Sequence, residues 1–200
     1  MIENVFDAIF LVYFIIGSTI RAISVRRISN WWRKKEDVSE DRDNGHDKEL
    51  MFVSSLGMVI LPFAYLFTPL LEFADYSLPA WVGWIGTAVF AAALWLLWRS
   101  HADLGENFSP ELKIRDEHSL VTQGVYRHIR HPMYASHILW AVAQALLLQN
   151  WMAGPAFLVM SLPLYIVRIP REEKMMEDEF GEEYRKYAER TGRVVPRIGK

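Results

Sequence analysis

All 22 lysines and arginines of this 200-residue chain fall inside three windows, residues 21–48, 99–130 and 168–200. The tracts before and between them, residues 1–20, 49–98 and 131–167, contain none. A membrane-spanning helix needs roughly 20 mostly apolar residues to cross about 30 Å of hydrocarbon, whereas a soluble helix normally keeps a charged face. The first tract is long enough for one span. The second is too long for one and is divided by the polar, proline-ended stretch 72–79, which predicts spans at 51–71 and 80–98. The third divides at Gln149 and Asn150 into 134–148 and 151–167, a tight helical hairpin. The expected fold is an all-α integral membrane protein with five transmembrane helices, a long cytoplasmic loop before the hairpin and a C-terminal cytoplasmic helix.

Five spans place the two ends of the chain on opposite sides. The positive-inside rule then puts the N-terminus outside and all three basic windows in the cytoplasm, since no external segment carries Lys or Arg. Residues 1–20 read as a retained first span and not as a cleaved leader, because Glu3 and Asp7 precede the apolar stretch and the basic cluster follows it. Within the first loop, residues 21–35 hold the basic half beside Trp31 and Trp32, expected as an interfacial amphipathic segment on anionic headgroups. Residues 36–49 are acidic and expected as a solvated connector. Two units result: 1–98, with three helices and the charged loop 21–50, and 99–200, with the second loop, the hairpin and the tail helix.

Composition removes whole classes of function. A formal net charge of -2 gives no electrostatic footprint for nucleic acid. The absence of cysteine excludes a disulfide framework, a thiolate zinc site, an iron–sulfur cluster and a cysteine nucleophile. No metal is expected, because His128 and His131 share no carboxylate pattern. The glycine-rich nucleotide motifs, the H-E-x-x-H helix and the G-x-S-x-G elbow are all missing.

The second loop exceeds what a connection requires. Phe108, Leu112, Ile114, Leu120, Val121, Tyr126 and Ile129 supply apolar anchors, so it is expected to be ordered. Residues 120–122 are β-prone, and Gln123-Gly124 signals a turn. Polar groups then gather at one membrane surface: the stretch from Gly124 to Tyr134 runs into span four, while Arg168, Glu172 and Glu173 leave span five. Tyr134, His137, Ala141 and Gln144 share one face of span four, where His137 and Gln144 are costly unless they meet protein or a cavity. Interhelical hydrogen bonding is the plainer role for both. Pro170 suits the first turn of a new helix, whose apolar stripe of Met176, Phe180, Tyr184 and Tyr187 is expected to pack on the membrane face or the second loop. Arg168 and Glu172, at i and i+4, read either as an ordinary helix ion pair or as part of a site for a small charged molecule.

The run HSLVTQGVYRHIRHPMY at 118–134, followed by RIPREE at 168–173 and FGEEY at 180–184, resembles the isoprenylcysteine carboxyl methyltransferase family and its phospholipid methyltransferase relatives. The likeness spans roughly residues 95–197 and includes the LGENFS element at 104–109, whereas the first three spans agree only in hydropathy. The resemblance implies an integral membrane methyltransferase using S-adenosylmethionine, with the second loop as a cytoplasmic cofactor-binding loop. Leu120, Gln123, Gly124, Val125 and Tyr126 would line the cofactor, largely through backbone, and His131 and Tyr134 would hold its amino-acid end, with Glu173 in the same pocket. Val125 stands where the family commonly has proline. Arg168 and Glu172 resemble the catalytic pair that positions a lipophilic acceptor, most simply a carboxylate such as an isoprenylcysteine. An amine acceptor, as in a phospholipid N-methyltransferase, and a non-catalytic membrane binding protein that keeps the pocket are the other readings. Membrane lipids and the lipophilic acceptor are the only expected partners.

Overall fold

The structure, a computed structural model, describes residues 4–32, 45–105 and 120–197. Among these residues six α-helices follow in chain order: α1 (Val5–Trp32), α2 (Gly45–Ser55), α3 (Leu61–Phe67), α4 (Ala80–Leu104), α5 (Pro132–Leu147) and α6 (Ala153–Arg190). A π-helical turn (Leu56–Ile60) joins α2 to α3, and 3-10 turns occupy Pro69–Ala74 and Gly124–Arg127. Among the described residues there is no strand, and the β-prone 120–122 is irregular.

Among the described residues four helices are long and apolar enough to cross a membrane, at Val5–Arg26, Asp47–Phe67, Ala80–Leu104 and Ala153–Arg190. The remaining helix of the hairpin, α5, has 16 residues, about 24 Å of helix. An aromatic cluster holds α1, α4 and α5 together. Trp140 and Phe90 meet at a tilt with 4.9 Å between centroids, with Phe10 at 5.8 Å from Phe90 and Phe14 edge-on to Trp140 at 5.7 Å. Each such pair adds roughly 0.5–1.5 kcal/mol beyond the area it buries.

At the end opposite the hairpin's polar cluster, Asn150 ties the two connections together. Its Nδ2 donates to the Leu71 carbonyl and to Asp75 Oδ1, both at 2.6 Å, while its Oδ1 accepts from the backbone of Met152 and Ala153. The division at Gln149 and Asn150 is therefore a structured turn. Gln144, fully buried, donates to the carbonyls of Gly57 and Ala153 at 3.0 and 2.7 Å, the interhelical hydrogen bonding its position on the apolar face implied.

Three expectations are corrected. First, the basic half of the loop is no separate surface segment up to residue 32, because α1 continues without a break past Arg21 to Trp32. No glycine or proline lies between 18 and 32 to stop it. Second, the acidic stretch is not wholly a solvated connector. It enters α2 at Gly45, and Asp47 is fully buried against α6; residues 36–44 lie outside the described residues. Third, no new helix starts at Pro170. α6 runs through both Pro163 and Pro170 and breaks at Gly181, which has non-helical dihedrals of φ 51° and ψ -123°. A proline is tolerated where neighbouring groups hold both halves of the helix. Here Arg168, before Pro170, reaches Met51 on α2, while after it Arg171 grips Asp47 on α2 and Glu173 grips Arg130 before α5. The break divides the tail stripe: Tyr184 and Tyr187 are buried while Met176 and Phe180 are half-buried.

Candidate active site

The site is assembled where the segment 123–131, the start of α5 and the middle of α6 meet. Asp103, in the last turn of α4, accepts from the Val125 backbone at 2.9 Å and is itself held by Arg99 at 2.5 Å. Gly124, at φ 58°, comes so close to Asp103 that a Cβ there would lie 2.1 Å from Oδ2, so only glycine satisfies both the dihedral and the space. Tyr126 then turns inward and is buried; its carbonyl accepts from the Tyr187 hydroxyl at 2.7 Å. Gln123 and Gly124 remain exposed, whereas Leu120 and Val125 are half-buried. The upstream element 104–109 and the anchors Phe108, Leu112 and Ile114 lie outside the described residues beyond Gly105.

The tail closes over this turn. Arg130 and His131 donate their backbone N–H groups to the Gly192 and Arg193 carbonyls at 2.8 and 2.9 Å, a short parallel pairing. The Arg130 guanidinium donates through Nε and Nη2 to Glu173 Oε1 at 2.9 and 2.8 Å, and through Nη1 to the carbonyls of Ala188 and Thr191. Arg193 takes the other Glu173 oxygen at 2.7 Å. Both oxygens of Glu173 are thus occupied by protein cations.

His131 precedes the first turn of α5 and is wedged between carboxylates, with Nδ1 3.5 Å from Glu172 Oε2 and Nε2 3.4 Å from Glu173 Oε1. Nε2 is buried without an aligned hydrogen bond. Burial opposes a charge on the imidazole, but the Glu172 and Glu173 carboxylates on either side overcome it and hold the His131 pKa above its ordinary value of 6.5. A raised folded-state value means that the stabilisation is complete below the unfolded value and is lost as pH rises through the folded one. The thermal midpoint of the wild-type protein is therefore expected to fall relative to His131→Gln as pH is raised from about 6 to about 9. Parallel melting curves of the two proteins would contradict the ion pair.

One turn into α5, the Tyr134 hydroxyl donates to Glu172 Oε1 at 2.5 Å, and its ring meets Tyr165 edge-on at 5.1 Å. Arg168 lies on the same side of α6, only 9% exposed. Its Nε is 3.6 Å from Glu172 Oε1 and has no hydrogen-bond partner, and its Nη1 points at the Met51 sulfur at 3.4 Å. A cation this buried with so little neutralising it is costly. His137 sits further in, with Arg21 of α1 3.4 Å from its Nε2. Among the described residues no group of three or more His, Asp or Glu is placed to hold a metal.

The structure thus brings together His131, Tyr134, Arg168, Glu172 and Glu173. Gly124, Val125 and Tyr126 form an adjoining turn on the end of α4. Sequence reasoning assigned no role to Asp103, Arg130 or Arg193. Arg130 stood inside the run that carried the resemblance, but its partners are 43 to 61 residues away and no local pattern marks them.

A family model described as the isoprenylcysteine carboxyl methyltransferase family matches residues 84–178. Protein-S-isoprenylcysteine O-methyltransferase A of Arabidopsis thaliana is 32% identical over 144 residues, covering 71% of this chain and 73% of that one. The chain belongs to the isoprenylcysteine carboxyl methyltransferase family. Protein-S-isoprenylcysteine O-methyltransferase B of Arabidopsis thaliana is 39% identical over 94 residues, 46% of this chain and 48% of that protein. The matched stretch thus spans about half the length of that relative and of the Oryza sativa ones. Among solved structures, the eukaryotic intramembrane Ras methyltransferase of the family is similar at a TM-score of 0.56 and 27% identity, covering 78% of this chain and 55% of that one. The residues matched by the family model include Asp103, Gly124, His131, Tyr134, Arg168, Glu172 and Glu173, whereas α1 to α3 and Arg193 fall outside it.

Proposed function

We propose that this chain is an integral membrane methyltransferase that uses S-adenosylmethionine to esterify the carboxylate of a lipophilic, isoprenylcysteine-like acceptor. The observation that carries the reading is Arg168: a buried guanidinium with one carboxylate 3.6 Å away and an unpartnered Nε. An acceptor carboxylate supplies the missing neutralisation. A second cation in the same cluster fits the cofactor. Buried His131 Nε2 has no aligned partner, and its imidazole is biased toward the charged form, which suits the carboxylate of the cofactor's amino-acid end. Leu120, Gln123, Gly124, Val125 and Tyr126 would line the rest of the cofactor through backbone, and Tyr134 would stand between cofactor and acceptor.

Bound S-adenosylmethionine would supply an already electrophilic sulfonium methyl, which the acceptor oxygen takes in one displacement as the sulfur keeps the bonding pair. The protein's share is orientation and charge. Arg168 holds the acceptor oxygen in line, and no base is needed for a carboxylate. Glu172, tied to Tyr134 and His131, keeps Arg168 aimed. Glu173, with both oxygens bound by Arg130 and Arg193, acts as the post to which the tail is fastened.

Five crossings, with α5 as the short fourth, and a cytoplasmic site agree with the distribution of Lys and Arg. The chain has no cysteine, so single cysteines report cleanly. Ser77→Cys is expected to react from the outside of intact cells and Glu189→Cys only after permeabilisation; labelling of both from one side refutes the five-span arrangement. The function itself is tested by radiolabelled methyl transfer to N-acetyl-S-farnesylcysteine, an aminophospholipid and a quinone extract. A base-labile methyl ester on the first is the expected product. Transfer only to an amine would overturn the carboxylate reading, and no heat of S-adenosylmethionine binding in calorimetry would overturn the cofactor.

A further inference from the structure

α2 and α6 meet in matched register. Asp47 and Met51, at i and i+4, share one face of α2, and Arg171 and Arg168, at i and i+3, face them from α6, which runs the opposite way. Arg171 Nη1 lies 2.8 Å from Asp47 Oδ1, and Arg168 Nη1 lies 3.4 Å from the Met51 sulfur. Deeper along the same contact, Gly57 is buried so tightly that a Cβ would stand 2.6 Å from the Ala156 carbonyl oxygen. The segment bearing Met51 is therefore pinned on both sides.

The Asp47 pair is a poor device for stability alone. Its carboxylate has no exposed surface, one oxygen is bound, and Oδ2 has no hydrogen-bond partner. Arg171 is 43% exposed, so the carboxylate alone bears the desolvation, and a packed apolar residue in its place often serves stability as well. What the pair does decide is which side chain of α2 meets which arginine of α6. Asp47 takes Arg171, so Arg168 receives a thioether, a weak acceptor that fills space without neutralising the guanidinium. A slip of one turn would set the carboxylate on Arg168 and satisfy it.

We infer that the first turns of α2 form a wall of the acceptor site, with Met51 touching the acceptor's anionic head beside Arg168 and Asp47 acting as a positioning residue through Arg171. The inference rests on the reading of Arg168 as the acceptor's anchor. It extends that site to a helix outside the part matched by the family model. The wall selects for a compact anion attached to an apolar stem: the guanidinium takes the charge and the methionine side chain covers the junction of head and stem. A neutral head would leave Arg168 unpaired at this surface, so the wall also favours the acid over its own methyl ester product.

The test uses the full chain in lipid nanodiscs, S-adenosylmethionine as donor and N-acetyl-S-farnesylcysteine as acceptor. Met51→Glu supplies the competing carboxylate, and it is expected to raise the acceptor KM about tenfold or more while cofactor affinity by calorimetry stays within about twofold. Asp47→Asn is expected to raise the acceptor KM about fivefold with kcat nearly kept, and Asp47→Glu to restore most of the loss. An unchanged KM in both Met51→Glu and Asp47→Asn overturns the wall, as does a fall in cofactor affinity that matches the loss of activity. If Met51→Glu does not fold, Asp47→Asn and its rescue decide. Arg168→Ala run beside them separates the two levels. A loss there with Met51→Glu and Asp47→Asn unaffected removes only the wall, whereas no loss in Arg168→Ala removes the acceptor reading beneath it.

Discussion

Arg168→Ala is expected to lower kcat/KM for methyl transfer by about 10²–10³-fold while S-adenosylmethionine still binds within about twofold. The magnitude follows from the loss of one preorganised charge at a buried site, where water cannot replace it. The selectivity follows from geometry. Arg168 pairs with Glu172, at 3.6 Å, while Tyr134 and His131 hold Glu172 independently of it. Stability is expected to change little or to rise, since the guanidinium is buried with an unpartnered Nε and a thioether neighbour. Arg168→Lys should recover only part of the activity, because an ammonium is a point charge without the planar fork. The measurement is steady-state kinetics beside calorimetry on the same preparations. Equal losses of activity and cofactor affinity would move Arg168 into the cofactor site.

Arg130→Ala is expected to unfasten the tail, lowering the thermal midpoint in detergent by about 10 °C and weakening cofactor binding at least tenfold. Arg130 is the one side chain that joins Glu173 in α6 to the carbonyls of Ala188 and Thr191 at the end of that helix, among the described residues. Removing it leaves Glu173 with Arg193, an arginine whose side chain is mostly exposed, and with His131 at 3.4 Å. Breaking a buried pair from one side typically costs about 3–5 kcal/mol, because the remaining charge stays buried. The backbone pairing of 130–131 with 192–193 should loosen with it, and that pairing frames the turn at 124–127. Limited proteolysis offers an independent readout: cleavage after residue 190 should accelerate in Arg130→Ala and not in Arg185→Ala, whose partners Glu177 and Glu182 lie on the exposed side of α6. An unshifted midpoint with intact cofactor binding would show that Arg193 and the backbone pairing hold the tail unaided.

These two arginines differ in how far the sequence announced them. Arg168 is visible because it ends an apolar tract at i, i+4 from an acid, a local pattern. Arg130 also lies in a recognisable run, but its importance comes from partners spread over the last 30 residues, and only folding brings them within reach. Asp47 shows the opposite failure. It sits in a stretch of seven acidic residues between 36 and 49 that reads as solvated, yet it is the member that folding buries on Arg171. Composition averages over a window, whereas burial is decided residue by residue at the contact. Pro170 misleads for a related reason: its backbone preference is local, but the groups that carry α6 past it are tertiary.

The alternation of charged windows with tracts free of Lys and Arg was sufficient to predict an all-helical, multi-pass membrane chain and the turn at Gln149 and Asn150. Solvation dictates these features, and every residue's cost of entering hydrocarbon is written in its side chain. The resemblance of 118–134 and 168–173 to a known family then supplied a reaction and a first set of residues. The tertiary structure alone determined what those residues touch: that Glu173 is committed to Arg130 and Arg193, that Arg168 is left short of negative charge, and that α2 stands beside it. Such pairings depend on helix register and crossing, which arise from packing between segments far apart in the chain.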